Sequence, residues 1–511
     1  MWLASSVTWL PAQVFVDGAR LTPSTSSPES LSVNAFTWVS GQGLYVNLVG
    51  GNPGARQILV GHRAHGFHLF SKAWVTIEGF DIARTEDRGI SIHNGCTDLV
   101  IARNRVSFAN SYGIQSVNGL RVLIDENVVS DCNFHGIGLT GGATRCVVRN
   151  NESFRNAKPG TRVAKGIYLN GAPNNTLVGN WLHHNQDTGL QINSGSNDCI
   201  VYNNQSWSNG DHGYDHLDAS GTIHLNNVAY GNYKDGFSIE ANSPNTQLYN
   251  CIAIENGLTT DEFDLWVNDQ SSVGFVSDHN IFWNSADQEP IKFIATKFAS
   301  LADYRAASGL DAHSLQADPM FVDGPAGNFV LLPGSPAIDA GTSNVPFWPA
   351  TDAVGNTRMD DSAVPDHGAG PLSYVDIGAL EFRYSGDFAP IPLPTTPGTV
   401  DEKRHASIDA GGASTLQGTA PTALALSSGF PNPSRGAVEF ALDLPQASRV
   451  AWAVFDLQGR RVWSENRELG AGRVLLHWQG ATPSGAPAGT GVYLLRAWVD
   501  DVQLTRRVVR Y

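Results

Sequence analysis

A repeat of about 23 residues runs through the middle of this chain, and few folds can accommodate it. Gly followed by an apolar residue stands at Gly89, Gly113, Gly136, Gly166, Gly189, Gly213 and Gly236, with gaps of 24, 23, 30, 23, 24 and 23. A second series, Asn104, Asn127, Asn151, Asn180, Asn204, Asn227, Cys251 and Asn280, has gaps of 23, 24, 29, 24, 23, 24 and 29. Both lengthen by about six residues at the same place, within Asn156–Lys165. Two registers that agree on an insertion mark one structural unit used again and again.

Each period reads as short alternating strands, such as Gly-Ile-Ser-Ile-His (89–93) and Leu-Val-Ile-Ala-Arg-Asn (99–104). Alternation sends apolar members to one face and polar members to the other. A unit this short cannot bury its own apolar face, whereas coils stacked about 4.8 Å apart can. The expectation is an all-β chain dominated by a right-handed parallel β-helix over 61–290. Asn at one fixed place per coil suits a left-handed turn and a side-chain hydrogen-bond ladder.

The flanks read as closures. Residues 1–60 hold irregular strands that would cover the first coil. Within 291–383, Ser300–Gly309 reads as one short helix with Ser300 as N-cap and Gly309 as C-cap, ahead of a closing β segment. Residues 384–425, rich in Pro, Thr, Ser, Ala and Gly, read as a linker. Residues 426–511 alternate like a small β-sandwich and carry a different charge. From 431 onward there are 10 Arg, no Lys and 7 acidic residues, so this part is +3 within a chain of 33 − 48 = −15.

That acidity argues against nucleic acid as the main partner, because phosphate contacts need clustered cations. No apolar stretch is long enough to span a bilayer as a helix. Cys96, Cys132, Cys146, Cys199 and Cys251 are odd in number, fit no metal spacing, and read as small apolar side chains packed inside. The opening residues lack the basic and apolar regions of an export signal, so a longer precursor is expected.

In the C-terminal module, Phe430-Pro-Asn-Pro-Ser-Arg-Gly436, Val454–Arg460 and Gly489-Thr-Gly-Val-Tyr-Leu494 resemble the Ig-like domain related to flagellar hook-capping proteins. They are also similar to the type A sorting domain of type IX secretion. The resemblance implies a secreted or cell-surface protein that meets the type IX machinery. The expected state is a monomer.

Chemistry is sought in columns, since residues one repeat apart stack. Two residues before the Gly stand Asp187 and Asp211. Two after it the column reads Tyr168, Gln191, Asp215, Ser238. Four after it come Asn170, Asn193 and Glu240, with Asp264 expected from the next coil and His216 and Asp218 nearby. Stacked carboxylates repel unless a proton or cation intervenes. Three Asp on two coils with an open side suit Ca²⁺, a hard ion that takes six to eight oxygens. The alternative is ordinary turn chemistry, each Asp capping backbone N–H groups. Trp181, Trp207, Tyr230 and Trp283 read as packing, with a sugar platform as the alternative.

Asn185–Gln191, Asn209–Asp215 and Gly231–Ser238 resemble the core of family 9 polysaccharide lyases, pectate lyases on a β-helix. The resemblance implies Ca²⁺ ligands at Asp187, Asp211 and Asp215. The family's fourth ligand falls on His212 and its Brønsted base, a Lys, on Ser238. His212-Gly-Tyr-Asp-His-Leu-Asp218 is also similar, more loosely, to an alginate C5-epimerase motif whose second acid falls on Glu240. Both families remove the C5 proton of a uronate while a cation or acid neutralises its carboxylate. With Ser at the base position, candidates for the base are His212, then Lys234, with His216 and Glu240 in reserve. Tyr168, Gln191, Ser238 and Asp264 are expected to bind substrate. The reading is a Ca²⁺-dependent lyase of acidic polysaccharide; an epimerase, a glycoside hydrolase and a non-catalytic glycan binder stay open.

Overall fold

The computed structural model describes residues 1–50, 53–383, 424–426, 438–456, 460–481, 488–489, 491–499 and 502–510. The Pro-Asn-Pro motif and nearly all of the expected linker lie outside these residues. The chain divides into two compact units, one containing Met1–Phe382 and the other the C-terminal strands.

The first unit is a parallel β-helix with three long sheets. The sheet led by the glycines runs from Phe67–Phe70 through ten parallel strands to Ile291–Phe293, and Thr296–Phe298 adds an antiparallel edge. The second, Thr76–Glu78 to Val276–Asp278, and the third, Asp81–Ala83 to Ile281–Trp283, have nine strands each. The inward column Ile90, Ile114, Ile137, Ile167, Leu190, Tyr214, Phe237, Leu265 and Ile291 is at most 1% exposed. Burying each such side chain contributes about 1.5–3 kcal/mol, and this column is the main force holding coil on coil.

Close contact explains the glycines. A Cβ at Gly66, Gly89, Gly113, Gly136, Gly166, Gly189 or Gly213 would lie 2.6–2.9 Å from the carbonyl oxygen of the next glycine. Only a residue without a side chain lets the coils stack there. Asp264 takes this position on the following coil, since its carbonyl lies 2.6 Å from a Cβ built on Gly236.

The asparagines form a buried ladder in which each side-chain oxygen accepts from the backbone N–H and amide of the residue one coil earlier, from Asn104 through Asn227. The left-handed residue is not the ladder Asn but the one before it: Arg103, Glu126, Asn150, Asn203, Asn226, Asn250 and His279 all have positive φ. The turn made by that residue points the Asn side chain inward, where backbone groups need partners. A second ladder, absent from the repeat reading, runs Asn156, Asn185, Asn209, Asn232, Asn256 and ends on the Asp264 carboxylate.

At one end, Gln13 and Glu86 tie residues 12–13 to the first coils, and Phe15 packs edge-on against Phe108. At the other, helix Leu301–Ser308 is capped by Ser300, which accepts from the Asp303 N–H at 3.1 Å, and by left-handed Gly309. Residues 321–382 then return along the third sheet, burying Phe329, Ile338, Ile377 and Leu380 against Trp207, Val228, Ile254 and Ile281. Trp181, Tyr230 and Trp283 are half-buried under the same segment, so these aromatics serve packing. All five cysteines are free and buried, and burial pushes the thiols of Cys132, Cys199 and Cys251 up to about 12.

The second unit is antiparallel. Ala425–Leu426, Val438–Leu444 and Gly472–Trp478 form one sheet; Arg461–Leu469, Ser448–Asp456, Gly491–Val499 and Val502–Arg510 form another. Phe440, Trp452, Trp478 and Leu495 share one core.

Replacing Asn151 by Ala removes the five hydrogen bonds of its side chain and leaves the Asn127 N–H, a buried backbone group on the preceding coil, without its acceptor. Urea unfolding of Asn151→Ala should show a loss of about 1–3 kcal/mol. The exposed Arg145→Ala, as control, should stay within about 0.5 kcal/mol of the parent.

Candidate functional site

The candidate residues gather on the outward face of the glycine-led sheet and on the corner before it. Strand register sets Tyr168, Gln191, Asp215, Ser238 and Trp266 side by side. Glu240 stands opposite Leu217, one alternation further along. At the corner, the residues just before the glycines read Lys165, Thr188, His212, Asp235.

Loop length shapes the site. Three coils with short corners (185–189, 209–213 and 232–236) lie between two with long ones, around 157–164 and 257–263. The first long loop reaches across two coils: Arg162 Nη1 donates to the Gly210 carbonyl at 3.0 Å and Nη2 lies 3.4 Å from Asp211 Oδ1. The second is held where Thr260 donates to the Tyr233 carbonyl at 2.8 Å. Beside these corners, and lined by none of Asp187, Asp211, His212 and Asp215, lies a separate groove of about 490 Å³ formed by His184, Asn209, Gly210, Tyr233, Glu255 and Leu258.

Each corner carboxylate faces a cation of the chain. Asp187 Oδ2 lies 3.0 Å from the Lys165 ammonium, and Oδ1 accepts from the Thr188 N–H and hydroxyl. Burial pushes Asp187 up, but Lys165 outweighs it and holds the carboxyl below its ordinary range. Asp211 Oδ1 lies 3.1 Å from Lys234 Nζ and 3.7 Å from His212 Nε2. Lys234 loses by desolvation but gains more from Asp211, so its pKa rises.

His212 is 4% exposed, with Nδ1 3.1 Å from Oδ2 of the wholly buried Asp235. Asp235 is itself positioned by the Phe263 N–H, which donates to Oδ1 at 2.8 Å. Desolvation would strip the proton from His212, yet Asp235, Asp215 and Asp211 together raise it to about 9. At neutral pH the ring is an imidazolium. Asp215 is pushed up to about 6, mainly by burial, with His212 and Gln191 opposing and Glu240 and Asp211 adding. Its Oδ2 accepts from Gln191, while the buried Oδ1 meets no donor. Glu240 accepts from the Ser238 hydroxyl at 2.9 Å and is raised by burial. His212, Asp215 and Glu240 present ligand atoms within 4.8 Å of one another.

Two candidates lie elsewhere. His216 alternates inward, is fully buried, and sets Nε2 3.0 Å from Nε2 of His224; burial lowers it to about 4, so it is a neutral core residue. Asp264 is 1% exposed at the glycine position and closes the second Asn ladder. Four members went unread in the sequence. Lys165 and Arg162 arrive on the insertion, Asp235 sits one residue before a repeat glycine, and Trp266 extends the outward column with Lys292 4.5 Å above its ring. The insertion was visible; the charges it carries were its unused signal.

The model for the right-handed β-helix region matches residues 17–153 and 156–284, more than half of the chain. The chain belongs to the right-handed β-helix family. A curated relative, the uncharacterized protein YwoF of Bacillus subtilis (strain 168), is 29% identical over 189 residues, covering 34% of this chain and 40% of that protein's length. Among solved structures, pectate lyase Pel9A is similar at 16% identity and TM-score 0.40, over 63% of this chain and 86% of that one. The periplasmic alginate epimerase AlgG is similar at 16% identity and TM-score 0.36, over 43% of this chain and 58% of its own.

The His212 proton can be observed directly. Its imidazole resonance should titrate with a midpoint near 9, and Asp235→Asn should move that midpoint down. Because the folded value lies above the ordinary 6.5, the stabilisation from this proton is fully present below about pH 6.5 and lost as pH rises through about 9. A midpoint near 6.5 in the parent protein would contradict the geometry.

Proposed function

We propose that this protein acts on an acidic, uronate-containing polysaccharide by removing the C5 proton, with β-elimination as the outcome. The observation that carries this reading is the pairing of His212 and Asp215, an acid and a base whose environments set their proton affinities apart. Above about pH 6 the Asp215 carboxylate is free to take a proton, while His212 still carries one to give.

Lys234, Arg162 and Lys165 would neutralise the uronate carboxylate, whose charge otherwise opposes carbanion formation at C5. Asp215 takes the C5 proton, the C4–C5 double bond forms, the C4–O bond breaks, and His212 protonates the departing oxygen. This exchanges the roles expected from residue types alone. His212 and Lys234 hold their protons too firmly to act as resting bases, and Ser238 serves by orienting Glu240. Tyr168, Gln191 and the Trp266 ring would bind sugar.

Ca²⁺ assistance is a second reading of the same site, favoured by the donorless Oδ1 of Asp215. Asp187, Asp211 and Asp215 would hold the ion, which would supply extra neutralisation of the substrate carboxylate. The other donors present are an imidazole and carboxylates already ion-paired, a set better matched to the chain's own cations than to Ca²⁺. Export and surface attachment through the C-terminal unit complete the proposal.

Polygalacturonate, alginate and glycosaminoglycans should be incubated with the protein, following the ultraviolet absorbance of unsaturated uronide and, by NMR, C5 inversion. Asp215→Asn should lower kcat by about 10²–10⁴-fold, with activity in the parent rising through a pKa near 6. Activity that vanishes in EDTA and returns with Ca²⁺ would favour the metal-assisted form. Reducing ends released without new absorbance would favour a hydrolase. Binding with no turnover on any uronate polymer would favour a glycan-binding protein.

A further inference from the structure

At the far end of the helix, away from the groove, three side chains converge on one point. Asp278 ends the last strand of the second sheet, His279 follows it in the left-handed conformation, and His313 comes from the loop after the helix. His313 Nδ1 lies 2.7 Å and His279 Nδ1 3.3 Å from the same oxygen, Asp278 Oδ2. The two imidazoles stack at 4.7 Å between centroids, 26° from parallel. His279 is 4% exposed, yet neither ring nitrogen makes a hydrogen bond.

Such a side chain is unusual at this corner. On three earlier coils the position holds Asn203, Asn226 and Asn250, whose amides donate to carbonyls of the returning segment at Thr351, Gly378 and Thr342. His279 makes no such bond. Despite the 3.3 Å approach of Nδ1 to Asp278 Oδ2, a buried imidazole that makes no well-aligned hydrogen bond costs free energy unless something occupies its lone pair.

We propose that Asp278, His279 and His313 bind a divalent transition-metal ion of the zinc class, fastening the loop after the helix to the last coil. Donors around a four-coordinate ion with bonds of about 2.0–2.1 Å stand about 3.3 Å apart; the His279 Nδ1–Asp278 Oδ2 pair already has this spacing, and the exposed His313 ring, at 2.7 Å, would swing outward to admit the ion. Two imidazoles and one carboxylate suit Zn²⁺ and poorly suit Ca²⁺. The third ligand is already in place without the ion. The His313 N–H donates to Asp278 Oδ1 at 2.7 Å, Asp311 N–H to the Ser277 carbonyl, and Leu315 N–H to the Asn280 carbonyl. The His313 side chain is 63% exposed, leaving an entry path and a coordination position for water. The ion would brace the segment that covers the last coil and so help keep that strand edge closed to other chains.

The test uses the untagged full chain, Zn²⁺ alone as probe, and Ca²⁺ present throughout. Calorimetry should give one Zn²⁺ per chain and thermal unfolding an upward shift. His313→Ala, at an exposed position, should keep the far-UV spectrum and lose affinity at least about tenfold. His279→Asn installs the residue type that neighbouring coils use at this corner, so it should also fold and lose binding. Asp215→Asn, on the glycine-led sheet, should leave Zn²⁺ affinity unchanged. No binding by the folded parent, or parental affinity in either histidine variant, would overturn the site.

Discussion

Everything in the helical unit depends on how closely one coil can lie on the next. The backbone hydrogen bonds of a parallel sheet set that spacing, and at the glycine corner it leaves no room for a Cβ. Where the chain turns, backbone groups face the interior instead of a partner strand, and the Asn ladders supply the missing acceptors and donors. Each amide bonds to two coils at once, so a register slip would break every rung together.

Once coils repeat faithfully, variation in corner length becomes the means of building a site. Short corners bring Asp187, Asp211, His212, Asp235 and Asp215 into stacked positions. The long corners on either side raise walls, and the first delivers Arg162 to Asp211 across two coils. The rigid ladder beneath keeps these charges at fixed separations, which permits a buried acid and base to hold protons against their ordinary preference. The returning segment closes the third sheet with Phe329, Ile338 and Leu380, while the glycine-led face keeps the His212–Asp215–Glu240 cluster.

The charge arrangement also differs from a cluster of acids awaiting an ion. Asp187 answers Lys165, Asp211 answers Lys234 and Arg162, and Asp235 answers His212. The net negative charge of the chain therefore says little about the local field, which is set by pairs whose members are up to 49 residues apart in sequence, as Arg162 and Asp211 are.

The sequence by itself determined the parallel helix, because a double register in Gly and Asn admits no other economical stacking. It also determined the Tyr168–Gln191–Asp215–Ser238 column, because each member stands two residues after a repeat glycine and the glycines stack in register. The tertiary structure alone decided which histidine joins the carboxylates of the corner and which lies in the apolar core. His212 and His216 are four residues apart, but a corner and a strand intervene, and period-2 alternation applies only after the strand begins. It alone decided the proton states, since these follow from Asp235 and Lys165, each contributed by another coil. It alone decided the fate of the outward aromatics, because alternation identifies a face while a segment more than 70 residues downstream of Trp207 determines whether that face is covered.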